Sequence, residues 1–276
     1  MPANRSFGRM TRLIPITISL LLTLTTMSRA HEFWLEPQNY QADPGARVDV
    51  DIRNGQDFKG LTLSWFDPRI QKTTVLNGGR ESEYNGLPGD LPAISVDVGD
   101  ELIVLSYAST LSELTYDSWD KVKSFVQHKD IAWFFDAHSA RGLPEDGVTE
   151  GYWRFSKTLI AGGEGAGSDA DTGMETEFVA LTNPYTDNAK RFTARLLYRG
   201  APRPDAQVEL WEKRDGEVTR TIHRTDTQGL VTVPVRPGYS YMLDAVVLRE
   251  PASDAAKEAG VMWESLWANL TFAVPD

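Results

Sequence analysis

Trp263-Glu264-Ser265-Leu266-Trp267-Ala268-Asn269-Leu270-Thr271-Phe272-Ala273-Val274 decides the fold class. It places Leu266, Ala268, Leu270, Phe272 and Val274 on one side, with Trp263, Ser265, Trp267, Asn269 and Thr271 on the other. A two-residue alternation is the period of a β-strand, so the segment predicts a closing strand. Upstream, Val48, Val50 and Ile52 alternate with Asp49, Asp51 and Arg53, and Asn54-Gly55 predicts a turn after them. Further short β candidates lie at residues 61–66, 72–76, 93–98 and 101–107, separated by Gly, Pro, Asn and Asp. The same rhythm returns at residues 192–198, 207–211, 218–223, 230–235 and 241–248. The protein is therefore expected to be mainly β.

Between Leu111 and Ile160 the period changes. Trp119, Val122 and Val126, then Ile131, Phe134, Phe135 and His138, then Tyr152, Phe155 and Leu159, recur at spacings of three and four. These spacings predict helices that interrupt or cover the first sheet, over about residues 111–160. The run Gly162-Gly163-Glu164-Gly165-Ala166-Gly167-Ser168 has the composition of a flexible linker. A phosphate-cradling loop is the sharper reading, but the Gly-Lys-Ser/Thr ending is missing. The expected organisation is a signal peptide at 1–30, an N-terminal β-sandwich at 31–161 with the helical insertion, a Gly-rich linker at 162–173 and a C-terminal sandwich at 174–276. The C-terminal half has the strand rhythm of an immunoglobulin-like or transthyretin-like sandwich.

Composition excludes several classes of function. With 276 residues, 41% apolar and 24% charged, the chain is globular rather than disordered. Its net charge of −11 repels a phosphate backbone and argues against nucleic acid. The absence of cysteine removes disulfides, thiolate metal sites and cysteine nucleophiles. Gly-x-Ser-x-Gly and His-Glu-x-x-His are both absent, leaving acyl transfer and zincin chemistry without support and an enzymatic role unsupported.

Arg5, Arg9 and Arg12 precede the uncharged, largely apolar run Leu13 to Met27, and Ser28-Arg29-Ala30 sets small residues at the −3 and −1 positions of a signal-peptidase site. Cleavage after Ala30 is expected, with export to a periplasm and no stable membrane insertion afterwards. His31 would then carry a free amine beside its imidazole, a pair able to chelate one metal ion. Reference pKa values of about 7.7–8.0 and 6.5 mean that a metal displaces only weakly held protons. An accidental terminal histidine is the plain alternative. Additional ligands must come from the remaining histidines, His128, His138 and His223. His128 and His138 would stand about 15 Å apart on a continuous helix, too far to share an ion unless the helix breaks near Lys129-Asp130. His138 also reads as a core-edge residue bonded to backbone, His128 as a helix-terminal cation, and His223 as part of an exposed strand face.

His31-Glu32-Phe33-Trp34-Leu35-Glu36-Pro37 resembles the opening of a bacterial family of secreted proteins, a domain of unknown function often described as the periplasmic component of nickel or cobalt uptake. Arg53–Phe58, Gln127–Asp130, Leu181–Tyr185, His223–Asp226, Asp244–Arg249 and Trp263–Ala268 resemble that family's segments in the same order. The resemblance implies a protein that binds a divalent transition metal ion, nickel or cobalt, and works with a membrane metal transporter. His31 and the His128 segment carry over to its motif. Many members have a histidine where this chain has Val247, which puts any site using that position in doubt here. The expected metal ligands are His31, His128 and His138. Nitrogen donors suit copper equally, so a copper-handling protein with an N-terminal histidine brace is the alternative. A non-catalytic sandwich module that binds another protein is a second, and an enzyme acting on cell-wall sugars ranks last.

Overall fold

The computed structural model describes Met1, residues 31–187 and residues 190–276; the signal peptide expected at 1–30 lies, Met1 apart, outside the described residues. The chain opens with β1 (Glu32–Pro37), β2 (Gln41–Ala42), β3 (Arg47–Gln56) and β4 (Lys59–Leu63). There follow β5 (Ile70–Asn77), β6 (Arg80–Glu83), β7 (Ile94–Asp97), β8 (Leu102–Ser109) and β9 (Ser112–Thr115). Helices α1 (Trp119–His128) and α2 (Phe134–Ala140) lead into the long β10 (Thr149–Gly162). The remainder is β11 (Thr176–Ala180), β12 (Arg191–Tyr198), β13 (Ala201–Pro202), β14 (Gln207–Arg214), β15 (Glu217–Arg224), β16 (Leu230–Pro234), β17 (Ser240–Arg249), α3 (Asp254–Ala259) and β18 (Trp263–Ala273). Strands hold 51% of the described residues and helices 11%, as a mainly β fold requires.

A 10-stranded sheet in the order β15-β14-β17-β18-β10-β8-β5-β6 forms the middle layer, with β2 and β9 also paired to β10. The expected closing strand lies inside it. β18 runs antiparallel to β17 and parallel to β10, and all but its last residue are buried. Two smaller sheets pack on this layer: β11-β12-β13, with β16 against β12, and β1-β3-β4, with β7 against β3.

Leu243, Ala268, Leu270 and Phe272 face the β12 sheet, where Phe192 stacks on Phe272 at 3.8 Å. On the opposite face, Ile103, Leu105, Tyr107 and Ile160 meet Leu35, Val48, Val50 and Ile52 of the β1 sheet. Helices α1 and α2 cover that same face farther along, through Val122, Phe125, Val126 and Phe134 against Val246, Leu248, Trp263 and Trp267. Each large apolar side chain so buried contributes roughly 1.5–3 kcal/mol.

Four local expectations need correction or sharpening. Asn54-Gly55 is not a turn: β3 continues to Gln56, and the chain reverses at Asp57 and Phe58, with φ 54° and 55°. Gly55 pairs with Gly60 across β3 and β4, where a Cβ would collide with the Lys59 carbonyl, so the glycine serves a close approach of two backbones. Tyr152, Phe155 and Leu159 lie in β10, not in a helix. A strand covered on both faces loses the polar alternation that marks an edge or surface strand, and an apolar spacing of three and four arises by coincidence. The helical stretch between His128 and His138 is broken, because Asp130 takes φ 55° between α1 and α2.

The glycine-rich stretch is held at several points. Leu102 N donates to the Ala166 carbonyl at 2.8 Å, and the Asn183 amide donates to the carbonyls of Gly165 and Gly167 at 2.8 and 3.0 Å. The fully buried Lys157 ammonium lies 2.8 Å from Asp169 and 3.0 Å from Glu177, and also donates to the Ala170 carbonyl. Among the described residues no helix is long and apolar enough to cross a membrane.

Candidate functional site

Three bodies crowd one face of the central sheet: the β1 sheet, the α1–α2 pair and the loop before β5. They leave two adjoining cavities that share Asn54, Tyr152 and Arg154. Their floor follows from the pleat of β10, which sends Glu150, Tyr152 and Arg154 to one side of the sheet. Trp267 joins them because it is the parallel-register partner of Arg154.

The smaller cavity, about 200 Å³, is lined by His31, Asp117, Lys121, Tyr116, Glu150 and Trp267 among others. Glu150 is 3% exposed, and its two oxygens accept hydrogen bonds from Tyr116 and Ser265. Burial pushes its carboxyl up, while those two hydrogen bonds pull the other way. Asp117 is exposed and pairs with Lys121 one helical turn on. The larger cavity, about 370 Å³, is walled by Phe33, Ile52, Leu63, Phe66 and Tyr107, with Arg69 and Arg154 as its charged groups. Arg154 stands 4.3 Å over the ring of Trp267 and 4.9 Å over that of Tyr152, and its Nη1 is buried without a hydrogen-bond partner. Burial makes its proton easier to lose, against the attraction of neighbouring acids.

A buried ionic cluster lies beside these cavities. Lys129, at the C-cap of α1, reaches Asp244 on β17 at 3.0 Å and Glu209 on β14 at 3.1 Å. Its ammonium also stands 4.8 Å over Trp267. Burial alone would lower the Lys129 pKa, but Asp244, Glu209 and Glu32 together raise it, so the group stays charged. Glu32, adjacent to His31, is raised to about 7, first by burial and then by the charge of Asp244. Burial would raise Glu209 as well, but contact with His128 and Lys129 outweighs it and holds the carboxyl at about 2.

The histidines fare differently. His31 is exposed and lines the smaller cavity. His128 Nε2 lies 2.9 Å from Glu209 and 2.8 Å from the Arg220 guanidinium, outside both cavities' linings. His138 is 2% exposed with both ring nitrogens engaged, Nε2 at 3.1 Å from the Pro144 carbonyl and Nδ1 accepting from Trp263 at 3.0 Å. His223 bonds Thr221 on its own strand. Among the described residues no three His, Asp or Glu side chains are grouped to hold a metal ion. Glu150, Tyr152, Arg154, Lys129, Glu209 and Asp244 were not singled out by sequence. The alternation Glu150-x-Tyr152-x-Arg154 puts the first three on one strand face but does not say what they face, and it is masked when residues 152–159 are read at helical spacing; Lys129, Glu209 and Asp244 carry no local signal.

The chain matches the family Domain of unknown function (DUF4198) over residues 28–249. No curated protein matches it. Among solved structures it is similar to one described under "Structural insight into host cell surface retention of a 1.5-MDa bacterial ice-binding adhesin", at 10% identity and a TM-score of 0.22, covering 89% of this chain and 64% of that one. It is also similar to the D0-D1 domain of Intimin, at 12% identity and a TM-score of 0.19, covering 87% of this chain and 97% of that one. Likenesses this distant carry no argument about the fold or the role of this chain.

Proposed function

The chain belongs to the DUF4198 family, a domain of unknown function, and from that premise we propose that it is a periplasmic protein that binds a divalent transition metal, nickel or cobalt. His31 is the anchor. The observation that carries the reading is that His31 lines one small cavity together with the carboxylates of Asp117 and Glu150. Cleavage after Ala30 would add the α-amine of His31, which with the imidazole Nδ1 closes a six-membered chelate ring on one metal ion. His128 and His138 enter the donor set only by giving up Glu209 and Arg220 in one case, Pro144 and Trp263 in the other. The remainder of the proposal is export by the segment 1–30 and hand-over to a membrane metal transporter. It also includes two sandwich halves meeting at residues 162–173, the second of immunoglobulin-like or transthyretin-like character.

Titration of nickel, cobalt and copper(II) into protein beginning at His31, and into the same protein retaining Ala30, tests the reading. The extra residue turns the His31 amine into a peptide nitrogen that binds only after losing its proton, and is expected to weaken nickel and cobalt binding by about tenfold or more. Equal binding by the two proteins overturns the role of the terminus. Copper(II) is expected to bind such nitrogen donors more tightly than nickel or cobalt. A copper-handling role is the nearest alternative for that reason, and a histidine brace would need a second histidine to reach His31. Should no metal bind, a non-catalytic interaction module becomes the better reading. It is supported by Leu61, Phe66, Leu87 and Leu91, which are 77%, 52%, 71% and 63% exposed.

A further inference from the structure

We infer that the 370 Å³ cavity is a binding site for a small organic carboxylate with an apolar body, gripped by Arg154 at its floor and Arg69 at its mouth. The inference goes beyond metal binding and does not depend on cleavage after Ala30. In a chain of net charge −11, the described residues lining this hollow include two arginines and no carboxylate. Among the described residues neither guanidinium forms an ion pair, although eight of the other thirteen described arginines do.

The two arginines differ in how they are held. Arg69 is exposed and donates to Ser112 at 2.6 Å, which fixes its side chain across the entrance. Arg154 is clamped over Trp267 and Tyr152 with a buried Nη1 that no protein atom accepts from. The acids whose charge acts on Arg154 are Asp244, Glu150 and Glu32. None accepts a hydrogen bond from its guanidinium, and none lines this cavity. Nη1 itself is closed to solvent, so the groups of Arg154 that a ligand in the hollow can reach are Nε and Nη2, and a planar guanidinium edge of this kind matches the two oxygens of a carboxylate.

The rest of the lining sets the class of molecule. Phe33, Leu63, Phe66 and Tyr107 form an apolar wall around the charged floor. Leu63 pairs with Ile52 across β3 and β4, so it belongs to the face of the β1 sheet that elsewhere packs on the central sheet. Here it is 37% exposed because the hollow lies beneath it. A volume of this size admits a compact ligand rather than a chain or a macromolecule. A monocarboxylic acid with an aromatic ring or a short alkyl chain satisfies both the wall and the fork.

Phenylacetate, hexanoate, acetate and the neutral isostere phenylacetamide, added separately to the full chain, test this by tryptophan fluorescence and thermal shift. Phenylacetate and hexanoate are expected to bind and raise the Tm, with acetate and phenylacetamide weaker by about tenfold or more. Arg154→Met is expected to remove the preference for acid over amide. Arg69→Met, at an exposed position that leaves the core untouched, is expected to weaken both acids. Equal affinity for acid and amide, no binding of either larger acid, or an undiminished preference in a folded Arg154→Met protein each overturns the inference. A protein retaining Ala30 should bind the acids unchanged, so failure here and failure of the metal reading are separable.

Discussion

Lys129→Met removes the ammonium shared by carboxylates on two strands of the central sheet, while leaving a stem of similar length. The ammonium lies 3.0 Å from Asp244 and 3.1 Å from Glu209, and both acids are 1% exposed, so water cannot take its place without opening the structure. Breaking a buried pair by removing one partner costs about 3–5 kcal/mol, because the charge left behind is uncompensated. For a chain of this size each kcal/mol moves the melting temperature by about 2–4 °C, which gives a fall of about 6–20 °C near neutral pH. The loss should also depend on pH. Glu32 is raised to about 7 and Asp244 is raised by burial, so on acidification these acids take up protons and have less need of the ammonium. Thermal unfolding followed by circular dichroism, near pH 8 and again near pH 5, measures both effects. The fall should be larger near pH 8, and Lys129→Met/Asp244→Asn should recover part of it. A fall under about 2 °C near pH 8, or no recovery in the double variant, would refute the assignment of this cluster as the tie between α1 and the central sheet.

Two other outcomes are expected. The Glu32 carboxyl binds its proton more tightly in the folded chain, so its contribution is fully present below pH 4.5 and is lost as the pH rises through about 7. The total is roughly 3 kcal/mol, and Glu32→Gln should flatten the decline in stability over that window; parallel pH–stability curves for the two proteins would contradict it. Gly162→Ala should destabilise by at least about 1 kcal/mol, because its Cβ would strike the Gly99 carbonyl, whereas Gly79→Ala, with open space around it, should lose only the preference of glycine for its left-handed φ. A Gly162→Ala melting temperature equal to that of the unsubstituted protein would show that residues near 162 move freely.

The β character of the chain was legible wherever one face of a strand met water. Val48, Val50 and Ile52 alternate with charged residues because β3 has an outer side, and the pattern led to the right strand. It failed at Tyr152, Phe155 and Leu159, where both faces of β10 are covered and the side chains carry no record of inside and outside. The turn was misplaced for a different reason. Glycine at 55 answers to the neighbouring backbone at Gly60, a demand made across the sheet and not along the chain. Of the candidate site, His31 could be named from its place after the expected cleavage site, and the core-edge reading of His138 matches its bonds to Pro144 and Trp263. Arg154 could not be named, because its surroundings come from β1, β8, β9 and β18.

The sequence by itself determined that this is a mainly β chain, rich in acid, without cysteine and with few histidines. These properties follow from composition and from periods of a few residues, which local physics reads directly. Only the tertiary structure decided that β18 lies inside the sheet and that Lys157 ties the glycine-rich stretch to β10. It alone placed His31 and Arg154 on one cleft. Each of these depends on pairs separated by up to more than a hundred residues, such as Arg154 with Trp267, and on the cost of leaving a buried charge without a partner. Neither leaves a periodic trace in the chain.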